Sequence, residues 1–253
     1  MEEKLRSLEL SLDQYDSDKI NSRYLEQYDP LLKPYLEKEI TLLELGILNG
    51  GSLLLWRDYF PLARIVGIDI KLPKNFTDSD RIQMFEGSQA DPEFLTSVAE
   101  KTASDGFDII IDDASHIGEL TKTSFWHLFD NHLKPGGLYV IEDWGTGYWN
   151  DWPDGKNLNL ASYIQSQFKR TNFWLFLTKI KGKLGIKFPM QNHCYGMVGL
   201  IKQLVDEQAA HDITRASSKG VPKRKSKFEN LLITPSIAFI KKSLIPQNQP
   251  KSN

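Results

Sequence analysis

The sequence has little cysteine, little net charge and no long apolar run. Cys194 is the only cysteine among 253 residues, which excludes an internal disulfide framework and fits a reducing compartment. The net charge of −2 gives no overall field that would draw nucleic acid or a membrane surface. The apolar run at 173–177 is far shorter than the roughly 20 residues of a membrane span, and the charged N-terminus has no signal-peptide core. We expect a cytoplasmic protein with no transmembrane segment and no nucleic-acid partner.

Apolar runs alternate with helical stretches along the middle of the chain. The hydrophobic content of 40% suits the core of one large domain. Strands are predicted at 41–47, 63–70, 81–86, 107–112, 137–142, 212–216 and 236–241. Helices are predicted at 52–59, 92–102, 119–132 and 197–210. This order predicts an α/β fold with a Rossmann-like, doubly wound, mostly parallel seven-stranded sheet and helices on both faces.

Composition also divides the chain into regions. Residues 1–40 are polar and rich in tyrosine, and we interpret them as a helical N-terminal leader to a main domain at 41–243. Within that domain, 145–195 is predicted to be a substrate-side loop or lid, with a helix at 158–180. The polar tail at 244–253 is predicted to be disordered.

The first predicted strand runs into a glycine-rich loop that precedes a helix. Glycines let the backbone approach a ligand, and a helix N-terminus favours polar or anionic groups. The spacing E-x-G-x-x-x-G differs from the G-x-G-x-x-G of dinucleotide sites and matches loops that hold the amino-acid part of S-adenosylmethionine. The alternative for the glycines is a plain strand-to-helix turn. The second strand ends in an acid that is placed to accept hydrogen bonds from ribose hydroxyls. The candidate cofactor residues are Glu44, Gly46, Gly50, Gly51, Ser52 and Asp69.

The third predicted strand ends in a loop that would lie beside the adenine of such a cofactor. Ser88 or Gln89 is placed to hydrogen-bond the adenine edge. The alternative is an ordinary turn in which Asp91 caps the following helix.

Two further predicted strands each end in a pair of acids. Asp112 and Asp113 follow the fourth strand, with His116 three residues beyond, and Glu142 and Asp143 follow the fifth. The carboxyl ends of neighbouring parallel strands meet at one edge of a sheet, so these groups are expected to converge. Crowded carboxylates repel one another unless a cation or a substrate proton relieves them, which favours an enzyme and above all a metal-assisted one. Asp112 is alternatively a contact of the cofactor or a cap of the next turn.

These residues together resemble the class I S-adenosylmethionine-dependent methyltransferases. A closer resemblance is to the macrolide-sugar (mycinamicin-type) and rhamnosyl O-methyltransferases and the cephalosporin hydroxylase-like proteins. It covers roughly residues 15–145. The motifs that carry it are Ser17-Asp18-Lys19 with Tyr24 and Tyr28, Leu43–Gly46 through Gly51–Leu53, Trp56 with Tyr59-Phe60, Gly67–Asp69, Asp112–His116, and Pro135–Gly137 through Ile141–Asp143. One departure is that Asn21, Ser22 and Arg23 stand where these relatives tend to carry histidines.

The resemblance implies a magnesium ion held by Asp113, Glu142 and Asp143, and His116 as the general base, with Asp113 as the alternative. The expected activity is methyl transfer from S-adenosylmethionine to a hydroxyl of a sugar or glycosylated small molecule, in natural-product or polysaccharide biosynthesis. The alternatives are a hydroxylase-like metal enzyme of the same fold and a non-catalytic, cofactor-binding accessory subunit. A homo-oligomer is possible.

Four aromatic side chains follow the second pair of acids. They would stack on a sugar or aglycone, because aromatic faces suit such ligands, or they would pack against the preceding helices. They are Trp144, Tyr148, Trp149 and Trp152.

Overall fold

The computed structural model describes residues 5–74, 76, 80–157, 194–217 and 219–245. Its centre is a sheet with the strands β1 (Thr41–Leu45), β2 (Arg64–Asp69), β3 (Ile82–Glu86), β4 (Phe107–Asp112), β5 (Leu133–Ile141), β6 (Phe228–Ile233) and β7 (Ala238–Lys242). The seven strands lie in the order β3-β2-β1-β4-β5-β7-β6. The first five are parallel, and β7 runs antiparallel to both β5 and β6. The predicted α/β fold is therefore confirmed.

Helices lie on both faces of this sheet. They are α1 (Asp18–Asn21), α2 (Leu25–Leu32), α3 (Gly51–Tyr59), α4 (Pro92–Thr102), α5 (Gly118–Asn131), α6 (Pro153–Asn157), α7 (Gly196–Gln208) and α8 (Ala210–Ile213). Short 3-10 turns are found at Arg6–Glu9, Leu12–Gln14, Lys33–Tyr35 and Trp144–Tyr148. Within the described ranges, no helix is long and apolar enough to cross a membrane.

The two faces follow from the alternation of side chains along each buried strand. Ile110 of β4 packs into one apolar layer with residues of α4, α5 and α7. Ile109 and Ile111 point the other way, into a second layer with residues of α2 and α3. Each strand of a parallel sheet that is covered on both faces is a continuous apolar run in the sequence, and for this reason β4 was predicted at its observed bounds.

Register brings the strand ends level at one edge of the sheet. Leu45 of β1 pairs with Ile68 of β2 and with Asp112 of β4, and Asp112 pairs in turn with Ile141 of β5. The loops that leave β1, β4 and β5 therefore start side by side. This alignment positions the candidate site.

Most predicted elements of the first 145 residues agree with the structure to within one or two residues. The exception is β5, which begins at Leu133, before the turn that was expected to precede it. Gly136 adopts a positive φ of 74°, and the pairing of β5 with β4 shifts register between Phe107 and Ile109, so the strand absorbs the turn as an irregularity.

Beyond residue 195, one predicted strand is wrong and one observed strand was not predicted. The strand expected at 212–216 is absent, because the chain there forms α8 and the turn that follows it. The sixth strand is instead β6, Phe228–Ile233, which forms an edge of the sheet and is largely exposed, so it lacks a clear alternation of buried and exposed residues. The last strand, expected at 236–241, is Ala238–Lys242. The predicted helix at 158–180 and most of the predicted tail lie outside the described residues.

Candidate active site

A cleft of about 570 Å³ opens at the carboxyl edge of the sheet. It extends from Asp69, the last residue of β2, past Gly46 and Ser52 to Asp113 and His116 beyond β4. This path follows the level strand ends described above. The glycine loop and part of the acid cluster therefore share one cavity.

Gly46 joins the two halves of this cleft. Its φ is +84°, and a Cβ atom there would lie 2.2 Å from the carbonyl oxygen of Asp113. Only glycine lets the loop after β1 approach the loop after β4 so closely. Gly50 is the N-cap of α3 and Gly51 is its first residue, and a Cβ on Gly51 would lie 1.9 Å from the carbonyl oxygen of Asp16. The N-terminal segment thus crosses the glycine loop in direct contact with it.

The Asp69 carboxylate fastens the glycine loop to the end of β2. Its Oδ2 accepts hydrogen bonds from the backbone N–H groups of Ile47 and Leu48, at 2.9 and 3.1 Å. Its Oδ1 accepts one from the N–H of Lys71, at 3.1 Å. The side chain lines the cleft, where a ribose was predicted.

Glu44 lies behind the glycine loop, with no exposed surface. It accepts hydrogen bonds from Ser52 Oγ at 2.7 Å and from Trp56 Nε1 at 3.2 Å, so it anchors the start of α3. Burial raises the pKa of its carboxyl group, and the nearby ammonium of Lys19 opposes that rise. Among the predicted cofactor residues of the loop, Gly46, Ser52 and Asp69 line the cleft and Glu44 supports them from within.

Gln89 and Asp112 form a buried frame beneath the loop that carries Asp113. Gln89 donates through Nε2 to Asp112 Oδ1 at 3.1 Å and accepts through Oε1 from the N–H of Ser115 at 3.0 Å. Asp112 Oδ2 accepts from Ser124 Oγ at 2.6 Å and from the Tyr139 hydroxyl at 3.1 Å. Burial raises the pKa of Asp112 to about 6. The structure gives both residues buried protein partners.

Ser88, the other candidate beside the adenine, shapes its own turn. Its Oγ accepts a hydrogen bond from the N–H of Ala90 at 3.1 Å. Asp91 caps α4 by accepting from Glu93 and Phe94, as the alternative interpretation of this segment predicts.

Three predicted site residues converge beyond β4 and β5. One ligand atom from each of Asp113, His116 and Asp143 can be chosen so that all three lie within 4.8 Å of one another. His116 Nε2 is 3.7 Å from Asp113 Oδ1. His116 and Asp143 both have a φ of +51°, a left-handed conformation that is rare outside glycine and costs free energy. Strain of this kind clusters at functional sites, which supports this group as the reactive end of the cleft.

Lys19 is the site residue to which sequence reasoning assigned no role. Its side chain is 1% exposed, and its Nζ lies 2.5 Å from Asp113, 3.2 Å from Glu142 and 3.3 Å from Glu44. Burial by itself lowers the pKa of Lys19, but the three carboxylates outweigh burial and hold the pKa well above its usual value. The prediction of a metal ion from the sequence did not consider an internal cation, and the structure shows that a buried ammonium already neutralises part of the charge of these acids.

Two tyrosines of the N-terminal region complete the cluster. The Tyr28 hydroxyl donates to Glu142 Oε1 at 2.5 Å, and the Tyr24 hydroxyl donates to Asp143 Oδ1. Glu142 is 1% exposed and faces Lys19 and Tyr28. It therefore lies outside the convergent group that contains the other two predicted metal ligands, Asp113 and Asp143. Burial, then the Asp113 charge, raises the pKa of Glu142 well above its usual range. No local pattern in the sequence identifies either tyrosine as a partner of these acids.

Comparison with known proteins finds that the chain is similar to methyltransferases. No family model matches it. It is 41% identical over 133 residues to mycinamicin VI 2''-O-methyltransferase of Micromonospora griseorubida, an alignment that covers 50% of this chain and 32% of that protein. It is 40% identical over 152 residues to demethylmacrocin O-methyltransferase of Streptomyces fradiae, covering 53% of this chain and 38% of that protein. The chain thus matches about a third of the length of these curated relatives.

A solved structure extends the similarity to the whole fold. The MycE methyltransferase of the mycinamycin biosynthetic pathway, in complex with Mg, SAH and mycinamycin VI, superposes with a TM-score of 0.61 at 28% identity. The superposition covers 90% of this chain and 52% of that one. The chain therefore has the class I S-adenosylmethionine-dependent methyltransferase fold, and its resemblance to the macrolide-sugar O-methyltransferases is confirmed.

Proposed function

We propose that this chain is an S-adenosylmethionine-dependent, Mg²⁺-assisted O-methyltransferase that acts on a hydroxyl of a sugar or glycosylated small molecule. The observation that carries the proposal is the single cleft that joins Asp69 and the glycine loop to Asp113 and His116. Methyl transfer requires the donor and the acceptor in one cavity, with the reacting atoms aligned. The two curated relatives described above are named as O-methyltransferases, one of mycinamicin VI and one of demethylmacrocin.

The residues present fit the cofactor. The cleft volume of about 570 Å³ falls within the roughly 300–1,000 Å³ of ordinary ligand pockets. Gly46 and Ser52 line it on the side where the amino-acid part would lie, with Gly50 and Gly51 shaping the turn behind them. In this proposal Asp69 accepts from the ribose hydroxyls. Ser88, Gln89 and Asp112 frame the adenine side from beneath.

The acid cluster fits a hard divalent cation. Asp113 and Asp143 offer carboxylate oxygens to one space, and oxygen is the ligand that Mg²⁺ prefers. Glu142 is the third proposed ligand, and to serve it must exchange its ion pair with Lys19 for the cation. A bound Mg²⁺ would supply stabilisation of the negative charge that develops on an acceptor hydroxyl oxygen.

His116 is the proposed general base, with Asp113 as the alternative. Its imidazole lines the cleft beside the carboxylates, and a neutral ring nitrogen there can accept the proton of the acceptor hydroxyl. As that proton leaves, the oxygen forms a bond to the methyl carbon and the carbon–sulfur bond breaks, releasing a neutral thioether. Alignment of the two reactants can lower the barrier by up to about 7–11 kcal/mol, and a positioned base adds roughly 10²–10⁴-fold.

The hydroxylase-like alternative has less support. Non-haem iron oxygenases characteristically bind iron with two histidines and one carboxylate. The convergent group described here has one histidine and two carboxylates.

The test is a direct assay with labelled S-adenosylmethionine. The purified protein is incubated with mycinamicin VI, with methyl and nitrophenyl glycosides and with catechol as a non-sugar acceptor. We expect S-adenosylhomocysteine to form only with sugar-bearing acceptors, and to require Mg²⁺. Methylation of catechol alone, or full turnover after chelation, would overturn the proposal. A cytoplasmic location, homo-oligomer formation and the absence of a nucleic-acid partner stay predictions.

A further inference from the structure

The loop that follows β5 places an indole ring beside His116. Trp152 lines the cleft, and its ring centroid is 5.1 Å from that of His116, with the two planes at 76°. Trp149 lies on the same loop but is 53% exposed, with its centroid 6.4 Å from that of Trp152. One of the four aromatic candidates of this segment therefore reaches the reactive end of the cleft.

A buried carboxylate in the first turn of α6, the short helix that directly follows this loop, fixes the end of the loop to α5 and α7. Asp154, two residues after Trp152 and 4% exposed, accepts hydrogen bonds through one oxygen, Oδ2. The donors are the N–H of Gly118 at 2.8 Å and the N–H of Met197 at 2.7 Å. These residues stand at the starts of α5 and α7, where unpaired N–H groups and the helix dipoles favour a negative charge.

The backbone contacts around Asp154 leave no room for other side chains. A Cβ on Gly118 would lie 2.0 Å from the carbonyl carbon of Gly196, and one on Gly196 would lie 2.2 Å from Asp154. A Cβ on Gly155 would lie 2.1 Å from the carbonyl oxygen of Trp149. The starts of α5 and α7 and the loop thus meet in a close crossing, which holds the loop to a fixed path.

We propose that Trp152 is the residue on which the sugar ring of the acceptor stacks, and that Asp154 is the positioning residue that holds the indole in place. This inference rests on the proposed function and assigns the recognition of its substrate. A pyranose ring presents a face of C–H groups with its hydroxyls at the rim, so stacking buries that face on the apolar indole. A hydroxyl at the rim then lies toward His116, where the proton is to be removed.

Steady-state kinetics with matched variants test the positioning role. Asp154→Asn keeps the shape of the side chain but removes its charge, and Asp151→Asn removes a charge from an exposed residue of the same loop. We expect D154N and Trp152→Ala to lower kcat/KM by about tenfold or more for a glycoside that the wild-type protein methylates. The KM for S-adenosylmethionine should stay within twofold of the wild-type value. D151N should match the wild type. Equal kinetics in D154N and D151N, or a loss confined to cofactor affinity, would overturn the proposal.

An assay without turnover separates this proposal from the proposed function. The protein is labelled with 5-fluorotryptophan, saturated with S-adenosylhomocysteine and titrated with methyl α-L-rhamnopyranoside, and Trp152→Phe assigns the ¹⁹F resonance. We expect the Trp152 resonance to shift saturably, while Trp126, which stacks on Phe228 away from the cleft, stays fixed. In D154N the shift should weaken, and the Gly118 and Met197 amides should exchange faster with solvent than in D151N.

The outcomes are distinct. A Trp152 shift without methylation of any glycoside would sink the proposed function and support the stacking site. Methylation of a glycoside with an unmoved Trp152 resonance would support the proposed function and overturn the stacking site. A response to benzyl alcohol but not to the rhamnoside would show that an aromatic group occupies the indole face, and would overturn the assignment to a sugar.

Discussion

The Lys19 ammonium and the Asp113 carboxylate, 94 positions apart in the sequence, form a 2.5 Å ion pair at the carboxyl edge of the sheet. The same Nζ also contacts Glu44 and Glu142, so one buried cation joins acids from β1 and from the loops after β4 and β5. Any metal ion that binds the acids must compete with this ammonium for Asp113 and Glu142.

We expect Lys19→Met to lower the free energy of unfolding by about 3–5 kcal/mol, because it leaves buried carboxylates without their partner. Mg²⁺ should then raise the melting temperature of the variant more than that of the wild type, since the acids lack any other cation. Urea unfolding and thermal melts with and without MgCl₂ measure both effects. Lys19→Arg, which keeps the charge, is the control, and an equal Mg²⁺-induced shift in K19M and wild type would contradict the competition.

His116→Ala should lower turnover by roughly 10²–10⁴-fold while the affinity for S-adenosylhomocysteine stays within twofold, because the base is lost and the glycine loop is untouched. Kinetics and calorimetry measure the two quantities. His127→Ala is the control, since that ring hydrogen-bonds Thr96 and lies outside the cleft. If H116A retains near-normal turnover, Asp113 becomes the base to test.

Asp69→Ala should weaken S-adenosylhomocysteine binding by about tenfold or more, because it removes the proposed ribose acceptor together with the hydrogen bonds to Ile47 and Leu48. Isothermal calorimetry provides the measurement. Glu86→Ala is a matched control, because Glu86 ends β3 directly opposite Asp69 in the register. Unchanged affinity in D69A would refute the assignment.

Removal of the divalent cation by a chelator should abolish turnover, and Mg²⁺ should restore it. Asp143→Asn and Glu142→Gln should each weaken Mg²⁺ binding by about tenfold or more if both carboxylates coordinate the ion. Calorimetric titration of the two variants decides the point. A normal Mg²⁺ affinity in E142Q would leave Glu142 as a partner of Lys19 and Tyr28 alone, and would remove it from the proposed ligands.

A histidine pair away from the site gives a pH dependence of stability. Burial, then the neighbouring His127, lowers the pKa of His132, and Thr96 Oγ1 lies 2.9 and 3.2 Å from the Nε2 atoms of these two rings. The unfolded chain binds the proton more readily, so stability is full above the ordinary pKa of about 6.5 and is lost as the pH falls through the lowered folded value. His132→Gln should flatten the decline in urea-unfolding free energy between about pH 7 and 5. The same substitution at the exposed His211 should leave that decline unchanged and serves as the control.

The sequence allowed prediction of whatever a local pattern encodes. Buried parallel strands are apolar runs in the sequence, as at β4. The end of each run also predicted that the acid which follows it lies at the carboxyl edge of the sheet. The loop spacing around Gly46 pointed to the cofactor class, which the fold and the relatives support. Edge strand β6 gave no such pattern, because most of its residues are exposed.

The part of the site that could not be predicted depends on contacts between distant positions. Lys19 and Tyr28 were quoted only as motif residues, yet both contact Glu142, at separations of 123 and 114 positions. Charge balance alone suggested that the acids were open to a metal ion. It could not show that a lysine of a short N-terminal helix occupies their midst.

This arrangement also constrains when the site can assemble during synthesis of the protein. Lys19 is made before Asp113, which follows it by 94 residues. At roughly 5–20 residues per second, that separation corresponds to about 5–20 s. For that interval the lysine has no Asp113 or Glu142 to pair with. The charge-balanced site can therefore form only after β5 has emerged.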